Sequence, residues 1–305
     1  MAVSVQHKEL VGRILELKTK RKAVILSHNY QRAEVQDIGD FVGDSLELSR
    51  TAAKTDAETI VFCGVHFMAE TASILSPDKV VLLPDDESGC PMADMITAEQ
   101  LIQKKKEMPG VHVVCYINSS AAVKAESEIC CTSANAVEVV KSIGPGEILF
   151  VPDQYLGHYV STQVNRHMVL WPGFCPTHVK IQPEEITSQK AKYPGSLALV
   201  HPECRPEVIA VADEVLSTGG MLRFASQSTA KVFIIGSETG ILHRLQKENP
   251  DKTFLPATRK AVCPNMKKIT LEKVLWALED MKPQVKVPEE IRVRAKSALD
   301  RMLAV

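Results

Sequence analysis

CPMADMITAEQL at 90–101, CPTHVKIQPEEI at 175–186 and CPNMKKITLEKV at 263–274 are three copies of one string. Each copy has Pro in second place (Pro91, Pro176, Pro264), Ile in seventh (Ile96, Ile181, Ile269) and Glu in tenth (Glu99, Glu184, Glu272). The internal spacing never changes, so chance is a poor account of it. Each cysteine also follows an apolar run that closes near a proline or small residue: VVLLPD before Cys90, MVLWPG before Cys175, TFLPA before Cys263. A triplication that places one thiol per copy can converge three sulfurs on a pseudo-threefold axis. Three converging thiolates ask for a metal, and they fall one short of filling a tetrahedral site or a cubane cluster.

Working outward from the cysteines, each copy opens on a helix-like segment (7–20, 97–108, 183–192) and then a first strand (23–30, 111–118, 197–203). A helix-like stretch ending near a small hydroxyl residue follows, and a second helix leads to a second strand (58–64, 147–153, 231–237). A short helix and a third strand precede the cysteine. Continuous apolar strands alternating with helices predict parallel sheets covered on both faces. The expected fold is α/β: three three-layer α/β/α domains with small parallel sheets, related by pseudo-threefold symmetry. The expected bounds are 1–95 (with an N-terminal helix), 96–181 and 182–268, with 269–305 as a C-terminal helical segment packing back on the repeats. A single barrel-like α/β domain survives the strand count, about nine against the eight a barrel needs. The fixed cysteine spacing favours the triplicate.

At 305 residues, with 45% hydrophobic and 24% charged side chains, the chain has an ordinary globular composition. A net charge of −1 leaves no electrostatic footprint for nucleic acid or an anionic membrane surface. No run approaches eighteen apolar residues, and charge precedes any apolar run at the N-terminus, so neither signal peptide nor membrane span is expected. Eight cysteines without a disulfide-like pattern fit a reducing cytoplasm. Cys63 and Cys115 lie in apolar strand-like runs and read as small buried hydrophobes, while the neighbours Cys130 and Cys131 cannot bridge each other without strain.

Ligands of open parallel sheets bind beyond the carboxyl ends of the strands. There the first strand of each copy ends in a polar cluster: Ser27-His28-Asn29-Tyr30, Tyr116-Ile117-Asn118-Ser119 and His201-Pro202-Glu203-Cys204. Taken singly, a His at a strand end is a satisfied structural group and Glu203 a helix cap. Taken as equivalents, they form an acid–base set facing one cavity. Ser45, Ser133 and Ser217-Thr218 form a second equivalent set at helix starts. Capping is their default role, but helix N-termini with a neighbouring hydroxyl also favour an anion. For the metal, three cysteines plus His178 (three residues after Cys175) would make a zinc site, but close C-x2-C pairs are missing. An iron–sulfur cluster takes cysteines from distant segments and leads. A cluster-based sensor or electron carrier and a zinc-stabilised binding protein stay open as other classes.

The strings SHNYQRAEVQDIGDFVGDSLELSR (27–50), CYINSSAAVKAESEICCTSANA (115–136), PDQYLGHYV (152–160), HPECRPEVIAVAD (201–213) and CPNMKKITLEKV (263–274) closely resemble the quinolinate synthase (NadA) family of NAD biosynthesis. The similarity runs from about residue 7 to about residue 300. The resemblance implies three pseudo-equivalent α/β domains around a [4Fe–4S] cluster with one iron unligated by protein. It further implies condensation of iminosuccinate with dihydroxyacetone phosphate to quinolinate, phosphate and water, with iminosuccinate supplied by an aspartate-oxidising enzyme. Carried onto this chain, Cys90, Cys175 and Cys263 are the implied cluster ligands. His28, Ser45, Ser133 and Thr218, with Ser217 as the weaker candidate of its pair, hold the anionic groups. Tyr116, Asn118, His201 and Glu203 line the reacting centre, with Glu203 and Tyr116 moving protons. Gly219-Gly220 stand where the family often has another Ser, so the local anion pocket is expected to differ slightly. The cysteine-rich tail of some bacterial members is not matched, so redox regulation through one is not expected.

Overall fold

Each copy of the repeat folds into a four-stranded parallel sheet, and the strand order is the same each time. In the computed structural model, which describes residues 5–305, the first sheet holds β1 (Ala23–His28), β2 (Phe41–Gly43), β3 (Thr59–Cys63) and β4 (Val80–Leu82) in the order β2-β1-β3-β4. The second holds β5 (His112–Tyr116), β6 (Ile129–Cys131), β7 (Ile148–Val151) and β8 (Val169–Leu170) in the order β6-β5-β7-β8. The third holds β9 (Leu197–Val200), β10 (Glu214–Val215), β11 (Val232–Gly236) and β12 (Thr253–Pro256) in the order β10-β9-β11-β12. Helices flank each sheet, so the triplicated α/β/α architecture expected from the spacing is present. The two central strands of each sheet are almost wholly buried, which is why they read as unbroken apolar runs rather than alternating ones.

The fourth strand of each sheet escapes the sequence reading. β2, β6 and β10 are two or three residues long and fall, in sequence, between the two long strands, after short helices at Ala33–Asp37, Ala121–Ala125 and Pro206–Ile209; in the sheet they form one edge. That whole stretch reads as helix-like in the sequence. A strand of two or three residues is too short to show a period, and here it exists because the ladder with β1, β5 or β9 holds it.

The back half of the repeated string turns out to be a helix start. The helices Ala98–Glu107, Pro183–Lys192 and Leu271–Asp280 are preceded by Thr97, Gln182 and Thr270 as N-caps. The repeated Ile is thus the residue before the cap, and the apolar residue five further on (Leu101, Ile186, Val274) is the fourth helical position. All six are buried. These are the two ends of a hydrophobic staple, which fixes the angle at which the chain joins a helix. The repeated Glu sits in the first turn, where backbone amides and the helix dipole favour its charge; Glu99 and Glu272 are both held below the usual carboxylate range, first by their own backbone amide and by the Thr270 hydroxyl respectively. Only the Cys-Pro half remains to be explained by chemistry.

The chain packs as two units, Met1–Cys90 with Pro264–Glu289 and Pro91–Cys263 with Glu290–Val305. In the first, Arg21 donates to the carbonyls of Leu278 (3.2 Å) and Glu279 (2.9 Å), tying the end of the helix Val5–Lys20 to the helix Leu271–Asp280. In the second, Asn135 donates to the carbonyl of Met302 at 3.2 Å, and Arg294 pairs with Glu126, anchoring the last helix, Glu289–Ala304. Among the described residues no helix is long and apolar enough to cross a membrane.

Candidate active site

Each cysteine loop is pinned at the same place. Just after the third strand of each copy in chain order, a backbone N–H donates to the carbonyl two residues before the cysteine: His66 to Ser88 (2.8 Å) and Gln154 to Gly173 (2.9 Å), each the first residue of a helix, and Thr239 to Ala261 (3.0 Å). Close approach explains Gly173, where an added Cβ would lie 2.5 Å from the Pro152 carbonyl oxygen. Cys90, Cys175 and Cys263 are all part-exposed, whereas the other five cysteines are buried. Cys90 belongs to the first unit and Cys175 and Cys263 to the second.

The second unit gathers the predicted acid–base residues. Tyr116, at the end of β5, donates its hydroxyl to Glu203 Oε1, and Asn118 Nδ2 lies 3.5 Å from the same oxygen. Glu203, buried just beyond β9, meets His178 Nδ1 with its other oxygen, Oε2, at 2.6 Å. His201 accepts the Glu203 backbone N–H on Nδ1 (3.3 Å), and its Nε2 faces Ser133 Oγ at 3.1 Å. The His178 and His201 rings stack with centroids 4.6 Å apart. Asn118 Oδ1 is buried with no hydrogen-bond partner, an acceptor facing nothing it can bind in the protein. Cys175, His178 and Glu203 each offer a ligand atom, and these atoms lie within 4.8 Å of one another.

Electrostatics separate two buried carboxyl groups here. Burial works against the Glu203 charge, but His178 and His201, with hydrogen bonds from His178 and Tyr116, outweigh it and hold the group below the usual carboxylate range. Asp153 is pushed the other way, by burial and then by the charge of Glu203. It caps the helix Gln154–Val164 through the N–H groups of Tyr155 (2.9 Å) and Leu156 (2.8 Å). Carboxyl groups whose environments drive them apart take different protonation states at one pH, which is how acid and base roles are divided.

The other predicted residues fall as follows. His28, at the end of β1 in the first unit, accepts the Tyr30 N–H at 3.1 Å, the same His-to-i+2 bond that His201 makes with Glu203. Ser45 opens the helix Ser45–Lys54, where Asp44 and not Ser45 is the cap. Ser217 caps its own helix by accepting the Gly220 N–H at 3.1 Å, and Thr218 is buried at the first helical position. Three further residues were not singled out by the sequence. Asp153 is one; Ser237 Oγ lies 3.2 Å from His178 Nε2; and buried Glu238 accepts the N–H of Cys263 at 3.1 Å. Asp153 and Glu238 each directly precede the pinning residue, a coincidence visible only once the backbone bonds are known.

Such a site defines an α/β enzyme with a buried carboxylate–imidazole–phenol network beside a metal-competent thiol. The family model described as quinolinate synthetase A protein (NadA) matches residues 12–304. The quinolinate synthase of Dehalococcoides mccartyi is 58% identical over 300 residues, 98% of this chain and 99% of the relative. That of Desulforudis audaxviator is 59% identical over 298 residues, covering 97% and 98%, and quinolinate synthase 1 of Methanosarcina acetivorans is 56% identical over 300 residues, covering 98% and 99%. The chain belongs to the quinolinate synthetase A family.

Proposed function

We propose that this chain is a quinolinate synthase that condenses iminosuccinate with dihydroxyacetone phosphate, losing phosphate and water, and that it works in a reducing cytoplasm. The observation that carries the reading is Glu203, a buried carboxylate bonded to Tyr116 on one oxygen and to His178 on the other, beside Cys175.

The chain's donors fit an iron–sulfur cluster. Of eight free cysteines, the three part-exposed ones are those of the Cys-Pro loops, each held by a backbone bond two residues upstream. Cys90, Cys175 and Cys263 would hold a [4Fe–4S] cluster, which supplies an iron with an open coordination position, a Lewis acid for substrate oxygen or nitrogen. The rest falls to the side chains. Glu203, kept ionised, takes a proton; Tyr116 delivers or relays one through its hydroxyl; His201 holds Ser133 in place with its Nε2–H. Asn118 offers its unpartnered Oδ1 to a donor on the substrate. His28, Ser45, Ser133, Ser217 and Thr218 bind the anionic groups, and Ser217 contributes less because its oxygen already caps a helix. Iminosuccinate hydrolyses in water, so an aspartate-oxidising reaction must supply it close by.

A second reading has its own observation: the Cys175–His178–Glu203 trio is a three-ligand set for zinc. Anaerobic purification with metal and sulfide analysis separates the two. About four irons per chain, with a visible spectrum that shifts on adding a quinolinate-like dicarboxylate, supports the cluster enzyme; one zinc and a colourless protein overturns it.

A further inference from the structure

We propose that His178, whose Nδ1–H is directed by the Glu203 carboxylate, is a positioning residue that fixes that carboxylate and links it to the sulfur of Cys175. The proposal rests on the reading of Glu203 as the proton-moving group.

His178 is fully buried in the one-turn segment His178–Lys180 that follows Cys175-Pro176. Its Nδ1 lies 2.6 Å from Glu203 Oε2 and 3.2 Å from Cys175 Sγ. An ionised carboxylate accepts only, so Nδ1 carries the hydrogen. In the neutral ring Nε2 is then the acceptor, and the Ser237 hydroxyl, 3.2 Å away, meets it as donor. Ser237 follows the last residue of β11, so a strand end holds that hydroxyl in place. The stacked ring of His201 has the opposite arrangement: its Nδ1 accepts a backbone N–H, so its Nε2 carries the hydrogen towards Ser133. Two stacked imidazoles, their planes 23° apart, thus hold their protons on different nitrogens, and each is set by a neighbour outside the pair.

This arrangement divides the work of Glu203. Oε2 is held by His178, and Oε1 accepts from the titratable hydroxyl of Tyr116, so proton exchange runs through the Oε1–Tyr116 hydrogen bond. A single N–H shared between a carboxylate and a cysteine sulfur makes the carboxylate plane and the Cys175 loop move as one body. Partners of this kind, one bond behind the reacting groups, orient what they touch and are sensitive to loss.

The test uses the whole chain, without metal for spectroscopy and anaerobically loaded for kinetics. In ¹⁵N-histidine NMR of the metal-free protein, the resonances lost in His178→Asn identify His178. They are expected to show the Nδ1–H tautomer in the wild type and in Ser237→Ala, and to move towards a mixture in Glu203→Ala. In loaded protein, turnover per bound iron should fall about 10–100-fold in His178→Ala, with both KM values within about twofold. His178→Asn, whose amide N–H stands where Nδ1 stood, should recover most of that loss, a rescue that a space-filling role would not give. An Nε2–H tautomer, or His178→Ala turning over like wild type, overturns the proposal; if His178→Ala does not fold, the wild-type and Glu203→Ala tautomers still decide. Wild-type protein that binds zinc or makes no quinolinate sinks the functional reading instead, and leaves the tautomer result standing.

Discussion

Sheet interiors and the loops beyond them both carry cysteines in this chain, and they treat the same side chain in opposite ways. Cys63, Cys115, Cys130 and Cys131 lie in strands and Cys204 just past one, all buried. Burial pushes the thiols of Cys63, Cys130, Cys131 and Cys204 up, Cys63 to about 12. Cys115 is the exception among the strand cysteines: there burial is outweighed by hydrogen bonds from Cys130 and Ser119 and by the Lys124 charge, which bring it down to about 7. A thiol kept protonated is neither nucleophile nor metal ligand. Cys90, Cys175 and Cys263 stand on pinned loops, part-exposed, where a thiolate can form. Residue type alone does not say which cysteines matter; their place relative to the strand end does.

The largest expected effect tests that division directly. Replacing Cys90, Cys175 or Cys263 by Ala should remove both the iron and the activity, whichever unit the cysteine belongs to. Iron analysis and a turnover assay on anaerobically prepared variants check it. A loop variant that keeps its full iron content would break the comparison. Glu203→Gln should come next: iron retained, with kcat falling about 10²–10⁴-fold, the usual worth of a positioned acid–base group. Loss of iron in that variant would make Glu203 a ligand, as the Cys175–His178–Glu203 trio allows.

How much of this was written in the sequence depends on the length scale. The triplication, the parallel sheets and the three special cysteines are legible because they repeat: a twelve-residue string in fixed spacing is its own alignment. Tyr116, His201 and Glu203 are legible as strand-end polar clusters, although their mutual contact is not, since it joins residues 87 positions apart. The edge strands β2, β6 and β10 are invisible because two or three residues carry no period. Asp153, Ser237 and Glu238 are invisible because an acid or a hydroxyl after a strand is common, and only the fold shows what it faces. His178 is legible as a donor near Cys175, but its partner Glu203 comes from another strand end.

The repeated string permits a sharper cut between chemistry and architecture. Its cysteine half is predicted to matter for iron, and its staple half for stability. Ile181→Ala should therefore destabilise the fold by about 2–5 kcal/mol, the cost of emptying a buried Ile site, because Ile181 is fully buried in a cluster with Ile186, Ala198 and Val200. Denaturant unfolding of the metal-free protein measures it. Protein that stays folded should still load iron; if it does not, the two halves of the string are one device.

The smallest effect is the pH signature of a strand cysteine. Unfolded, the Cys63 thiol ionises near its ordinary value of 9.0; folded, burial holds its proton to about 12. Between those values the unfolded chain has lost a proton that the folded chain keeps, so the unfolded state is increasingly favoured as pH rises. The contribution of Cys63 is fully present below about pH 9 and is lost progressively towards pH 12. Cys63→Ala removes that slope: at pH 7 the variant should be slightly less stable than wild type from lost packing, and the gap should narrow above pH 9. In the metal-free native protein at pH 8, a thiol reagent should modify Cys90, Cys175 and Cys263 and spare Cys63, as peptide mass mapping would show. Cys63 reacting as fast as the loop cysteines would mean that its sheet opens readily, and that burial does not separate the two classes.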